Sequence, residues 1–173
     1  RKGFTKELLE EWSVVECESW NELAKYELDV GIVANPSIHH IETATKLAPL
    51  VQGIFIEKPL AVCASELENI CEQLEVEKKT IFMGFNLLFD PLILLIKALI
   101  SAKNFGHLIC FQAQCGQWLP DWHPYEEYMT SYAAREDLGG GVALTLMHEL
   151  QLATEFAGLP AVVYGRNASS DLL

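Results

Sequence analysis

The sequence predicts an α/β protein, in which parallel strands joined by crossover helices are followed by the start of an α+β segment. Three observations carry this. Short continuous apolar runs at residues 30–34, 53–56 and 80–83 read as buried strands. Stretches with helical apolar spacing lie between and after them, the alternation that gives right-handed parallel crossovers. After Gly106 the pattern changes to a longer β-type run, an irregular aromatic stretch and a glycine-led helix.

Residues 5–13 (TKELLEEWS) predict the end of a helix or a short helix, and 13–18 a short strand. Ser19, with Glu22 three residues on, forms a capping box, so 21–27 predict one or two helical turns. Residues 30–34 (VGIVA) predict a strand buried on both faces, ended by Asn35-Pro36-Ser37. Pro36 makes a rigid turn, and Ser37 can cap the helix expected over 38–47, with His39 and His40 on its surface. Residues 53–56 (GIFI) predict a second buried strand, stopped by Glu57-Lys58-Pro59. An amphipathic helix is expected over 65–77, with Leu67, Ile70, Cys71 and Leu74 on one face. A third strand follows at 80–83. Asp90 as N-cap and Pro91 at the first helical position then open a helix through Ile100. Residues 107–115 predict a longer strand with one polar face, and 117–137 are irregular. Gly139-Gly140-Gly141 lead into a single helix over 142–157, and another strand begins at Tyr164. The domain boundary falls near 101–106, giving segments 1–100 and 101–173.

Composition limits the function. Among 173 residues, 12 Lys and Arg stand against 24 Asp and Glu, a formal charge of −12, and 50% are hydrophobic. That hydrophobic share excludes wholesale disorder. The negative charge repels nucleic acid and anionic membrane, and no basic tract offsets it. The longest purely apolar run, 92–96, ends at Lys97, far short of the ~20 residues that span a bilayer. The five cysteines are odd in number and none has CxxC spacing, and no signal peptide opens the chain. Reduced thiols and a cytoplasmic location are expected. The sequon Asn167-Ala168-Ser169 is then a chance match. No metal site is expected, because adjacent histidines do not share a helix face and no third ligand lies near.

Three segments can carry chemistry. Glu57 and Lys58 follow a buried strand, and ligands of open α/β sheets bind beyond the carboxyl ends of strands. A lysine beside apolar strand ends can have a lowered pKa and act as proton donor or acceptor; the plainer alternative is a solvated turn with Pro59 starting a helix. Asn35-Pro36-Ser37-Ile38-His39-His40 also follows a strand. In the third segment Thr145, His148 and Gln151 lie three apart on one expected helix face. His148 is suited to acid–base work near neutral pH, or to a semi-buried structural role. No GxGxxG or GxxxxGK[ST] phosphate loop occurs.

Taken in order, these segments resemble the Gfo/Idh/MocA family of nicotinamide-dependent sugar and inositol dehydrogenases. The resemblance rests on Asn35, Pro36 and His40 after one strand and Glu57-Lys58-Pro59 after the next. It continues through Gly84-Phe85-Asn86 and Phe89-Asp90-Pro91 to the glycine-led helix with His148. The stretch 118–128, with Ser131-Tyr132, resembles members linked to bacterial surface-sugar pathways. The resemblance implies a Rossmann-type cofactor domain lacking its first βα unit in this chain. It also implies a C-terminal α+β domain for substrate and oligomer contacts. NAD or NADP would be the cofactor, and hydride transfer would act on a sugar, nucleotide-sugar or polyol hydroxyl or carbonyl. A homo-oligomer is also implied. By resemblance, Lys58 and His148 are catalytic. Asn35, Pro36, His40, Glu57, Lys58, Pro59 and Asn86 border the cofactor, and Trp118, Trp122, His123, Thr145 and Gln151 meet the substrate. Thr145 and Gln151 stand where family members usually or often carry carboxylates, and Leu88 where an arginine is common. The family's first strand, glycine loop and first helix would precede Arg1, and its closing strands would follow Leu173. The chain is therefore read as an internal fragment, the alternative to an enzyme being an inactive fragment or non-enzymatic binding relative.

Overall fold

A computed structural model describes residues 6–76 and 78–166. Thr5 and Glu77, at the ends of two expected helices, lie outside the described residues, as do the sequon and the continuation of the strand expected from Tyr164. The elements in chain order are α1 (Lys6–Glu11), α2 (Trp20–Leu23), β1 (Val30–Val33), α3 (His40–Leu47), β2 (Gly53–Ile56), α4 (Ser65–Val76) and β3 (Thr80–Met83). They continue with α5 (Pro91–Ser101), α6 (Leu119–Trp122), α7 (Val142–Thr145) and α8 (His148–Ala157), with short 3₁₀ turns between. The chain packs as two compact units. One holds the residues up to Phe85 with Gly116–Met147; the other holds Asn86–Cys115 with the residues from His148 on. The packing units therefore interleave along the sequence.

In the first unit, β1, β2 and β3 form a parallel sheet in sequence order, with Val33, Ile56 and Met83 in register at their carboxyl ends. Val33, Ala44, Leu47, Ala48, Val51, Ile54, Ile56 and Ile70 make the core. The buried positions of α3, His40, Ala44 and Leu47, fall at helical spacing and meet the inward residues of β1 and β2. Gly31 leaves room for this, since a Cβ there would stand 3.0 Å from Leu47 Cδ1.

Several expectations are corrected. β1 is covered on one face, not two: Gly31 and Val33 are buried while Val30 and Ile32 are 61% and 69% exposed. Phe55 and Phe82 stack on this same outer face, with centroids 5.9 Å apart. An apolar run records that its residues are hydrophobic, not that both faces find a layer. No strand forms over 13–18, 107–115 or 164–166 among the described residues, because a strand exists only through the ladder of a partner. Ser37 caps nothing; it is buried in a 3₁₀ turn, Ser37–His39, ahead of α3. Cys71 of α4 is exposed, while Ile70 turns inward.

Two caps form as the sequence indicates. Asp90 Oδ1 accepts from the N–H groups of Leu92 and Ile93 at 2.8 and 3.3 Å. Ser19 Oγ accepts from Glu22 N–H at 3.2 Å. The reciprocal half of the box reaches one residue further, Glu22 Oε2 accepting from Glu18 N–H at 3.0 Å. In the second unit, α5 and α8 are bridged by an ion pair between Lys97 and Glu155, and Phe111 packs edge-on to Phe156. All five cysteines are free thiols. Among the described residues, no helix is long and apolar enough to cross a membrane.

Candidate functional site

The parallel sheet delivers three strand ends to one side of the first unit, and the ladder runs just past them. Glu57 N–H donates to Val33 O at 2.9 Å, and Gly84 N–H donates to Ile56 O at 2.8 Å. Gly84 is there because Glu57 is: a Cβ on Gly84 would lie 2.9 Å from Glu57 Oε2 and 3.2 Å from its Cα. The turns after β1 and β2 are tied together by His40. Its ring is 1% exposed, with Nδ1 2.6 Å from Pro59 O and Nε2 2.8 Å from Asn35 O. The expectation of a surface His40 is thus overturned, and His39 alone is exposed. Asn35 Nδ2 donates to Thr43 Oγ1 at 2.8 Å, which holds the same turn to α3.

Lys58 reaches across to the segment before α8. Its Nζ donates to Thr145 O at 2.6 Å, one of the carbonyls a helix end leaves without a partner. In a continuous helix that carbonyl would accept from the N–H four residues on. Instead the expected helix over 142–157 divides into α7 and α8 at Leu146, whose φ of −107° and ψ of 51° are not helical. Thr145, His148 and Gln151 therefore do not lie on one continuous helix face. Thr145 is 6% exposed, and its Oγ1 is buried with no hydrogen-bond partner. Burial lowers the pKa of Lys58 below the ordinary 10.5, with the Glu57 carboxylate opposing it.

Gly139 and Gly140 serve close packing, while a Cβ on Gly141, at φ +101°, would have nothing within 4 Å. Gly139 has φ +78°, and a Cβ there would stand 2.5 Å from Val62 Cγ1 and 3.0 Å from Ser37 Cβ. At Gly140 a Cβ would stand 2.1 Å from Tyr132 O. This presses the segment 131–141 onto the turn after β1.

A cleft of about 1320 Å³ opens over the strand ends. Asn35, Pro36, His40, Glu57, Lys58 and His123 line it, so six of the expected site residues share one cleft. Pro59 is buried behind them, bonded to His40. Trp122 stands behind His123, stacked at 5.1 Å and 13°. Trp118 is 58% exposed and does not line the cleft. Asn86, His148 and Gln151 lie in the second unit. Sequence reading missed Tyr125, Glu126, Glu127 and Tyr132, which also line the cleft. Their signal was their place in the stretch 118–128, with Ser131-Tyr132, that carries the surface-sugar resemblance. Tyr125 Oη lies 2.9 Å from His123 Nδ1.

The fold has known counterparts. Residues 2–85 match the GFO_IDH_MocA family, described as "Oxidoreductase family, NAD-binding Rossmann fold". The trans-1,2-dihydrobenzene-1,2-diol dehydrogenase of Xenopus tropicalis is 28% identical over 130 residues, 74% of this chain and 37% of the relative. Similar solved structures include an NAD-binding protein from Listeria innocua, with TM-score 0.63 and 20% identity over 85% of this chain and 42% of that one. An NAD-binding oxidoreductase from Klebsiella pneumoniae gives 0.65 and 17% over 88% and 41%. The myo-inositol 2-dehydrogenase of Lactobacillus plantarum gives 0.52 and 17% over 59% and 32%. The structural likenesses show the fold. The chain spans less than half the length of each of these relatives.

Proposed function

Because residues 2–85 match the Gfo/Idh/MocA family, described as an oxidoreductase family with an NAD-binding Rossmann fold, we propose that the cleft is the active site of a nicotinamide-dependent oxidoreductase. Its substrate would be a sugar, nucleotide-sugar or polyol, reacting at a hydroxyl or carbonyl. The observation that carries this is Lys58: a half-buried amine at a strand end, fixed by Thr145 O and lining the cleft. The residues present fit the cofactor's nicotinamide end. They form an open wall at the carboxyl ends of parallel strands, where such ligands bind. At about 1320 Å³ the cleft exceeds the ~300–1,000 Å³ of a usual single-ligand site, so it has room for two reactants.

NAD or NADP, when bound, supplies or takes the hydride. Asn35, Pro36, His40, Glu57, Lys58, Pro59 and Asn86 are the residues proposed to border it. Of the three protons on the Lys58 ammonium, one is directed at Thr145 O. The others are available to a substrate oxygen, one of them to be donated as a carbonyl is reduced; in the reverse direction the neutral amine would accept the hydroxyl proton as an alcohol is oxidised. His148 is proposed as a second acid–base group. Trp118, Trp122, His123, Thr145 and Gln151 are the proposed substrate contacts. A cytoplasmic location and a homo-oligomer belong to the same reading. The dihydrodiol dehydrogenase relative supports alcohol oxidation as the reaction type. Lys58→Ala should lower turnover by roughly 10²–10⁴-fold, the usual worth of a positioned acid–base group. Steady-state kinetics measures this, and unchanged turnover would remove Lys58 from the chemistry.

A further inference from the structure

We infer that the cleft selects a substrate ring without anionic substituents: an uncharged sugar or polyol, or a cationic amino sugar. The inference rests on the reading of this cleft as the substrate site and narrows it. It comes from the charges on the wall. Glu57, Glu126 and Glu127 line the cleft against one lysine, Lys58, and among the described residues no arginine lines it. Arg135, on the segment that closes the cleft, gives its guanidinium to Asp137. Lys58, with one of its three protons on Thr145 O, is the single lysine charge set against the three carboxylates. A phosphate or carboxylate is normally met by a forked guanidinium or by a cluster of backbone N–H groups. Here it would face a carboxylate excess.

A hydroxyl suits the same wall, because it both donates and accepts. Carboxylates at Glu126 and Glu127 can accept from it, and an ammonium group would gain charge-assisted bonds there. The Tyr125 and His123 pair, 2.9 Å apart, adds one group that can donate and one that can accept. Trp122, stacked on the His123 ring, holds that pair in place.

Calorimetric titration of the 173-residue chain with glucose, glucosamine and glucuronate tests the inference. These ligands share a ring and differ in charge. At low ionic strength glucuronate should bind at least about tenfold more weakly than glucose, the effect of roughly one uncompensated charge in a partly solvated site. Raising the salt should narrow the gap, and the Glu126→Gln, Glu127→Gln double variant should close most of it. Circular dichroism checks that the variant is folded, and the salt series on the unaltered chain tests the same point independently. The inference is overturned if glucuronate binds as tightly as glucose, or if the gap resists both salt and substitution. It is also overturned if glucose does not bind. Parallel titration with NADH separates the two readings. Loss of cofactor binding counts against the oxidoreductase while leaving the charge preference standing, and cofactor binding with an anion preference does the reverse.

Discussion

At Lys58, burial and the neighbouring Glu57 pull in opposite directions: burial disfavours the ammonium and the carboxylate favours it. Burial dominates, so the amine gives up its proton at a lower pH than a free lysine. A reduction that needs the proton from Lys58 must then fade at a lower pH than 10.5, and the reverse oxidation must rise over the same range. Glu57→Gln removes the opposing charge and should move that limb of the kcat/KM profile further down in pH; an upward move or none would contradict the assignment. His40 acts differently, as a structural clamp on the two turns. Its ring meets two backbone carbonyls in a site 1% exposed. His40→Leu fills the volume but removes the ring N–H and strands the carbonyl it meets, which should cost about 1–3 kcal/mol. A denaturant midpoint measures this, and a neutral result would mean that water satisfies that carbonyl. The sequence showed that Lys58 follows a strand and that His40 is six residues past another. It could not show the clamp, because Asn35 O and Pro59 O are backbone atoms whose meeting depends on the parallel register of β1 and β2.

Elements built from local signals were legible. β1, β2, β3 and α5 lie where apolar runs and an Asp-Pro start place them, and the Ser19 cap forms. Elements that depend on distant contacts were not legible. The break between α7 and α8 involves Thr145 O, which accepts from Lys58, 87 residues earlier in the chain. The glycines at 139–141 read in sequence only as the lead into a helix, yet Gly139 and Gly140 are required by Val62, Ser37 and Tyr132. Gly140→Ala would place a Cβ 2.1 Å from Tyr132 O and should destabilise the first unit by about 2 kcal/mol or more. Gly116→Ala, with nothing within 4 Å of the new Cβ, should be near neutral. Thermal melts of both variants check this, and equal melting points would refute the close packing of the 139–141 segment.

At the scale of the molecule, a charge of −12 sits on a chain whose cleft over the strand ends is lined by a lysine and three glutamates. The Rossmann character was readable from ordered motifs along the chain, because those at 35–40, 57–59 and 84–86 each follow a strand end and the parallel sheet brings strand ends together. The covering of the sheet was not readable, since Val30 and Ile32 look the same in sequence whether or not a layer lies over them. The central claim is that these strand ends form a nicotinamide site. Titrating the 173-residue chain with NADH and NADPH, followed by nicotinamide fluorescence, tests it most directly. Saturable binding with a Kd of about micromolar order, a binding free energy near −8 kcal/mol, is the predicted result. No saturation up to about a millimolar would contradict it.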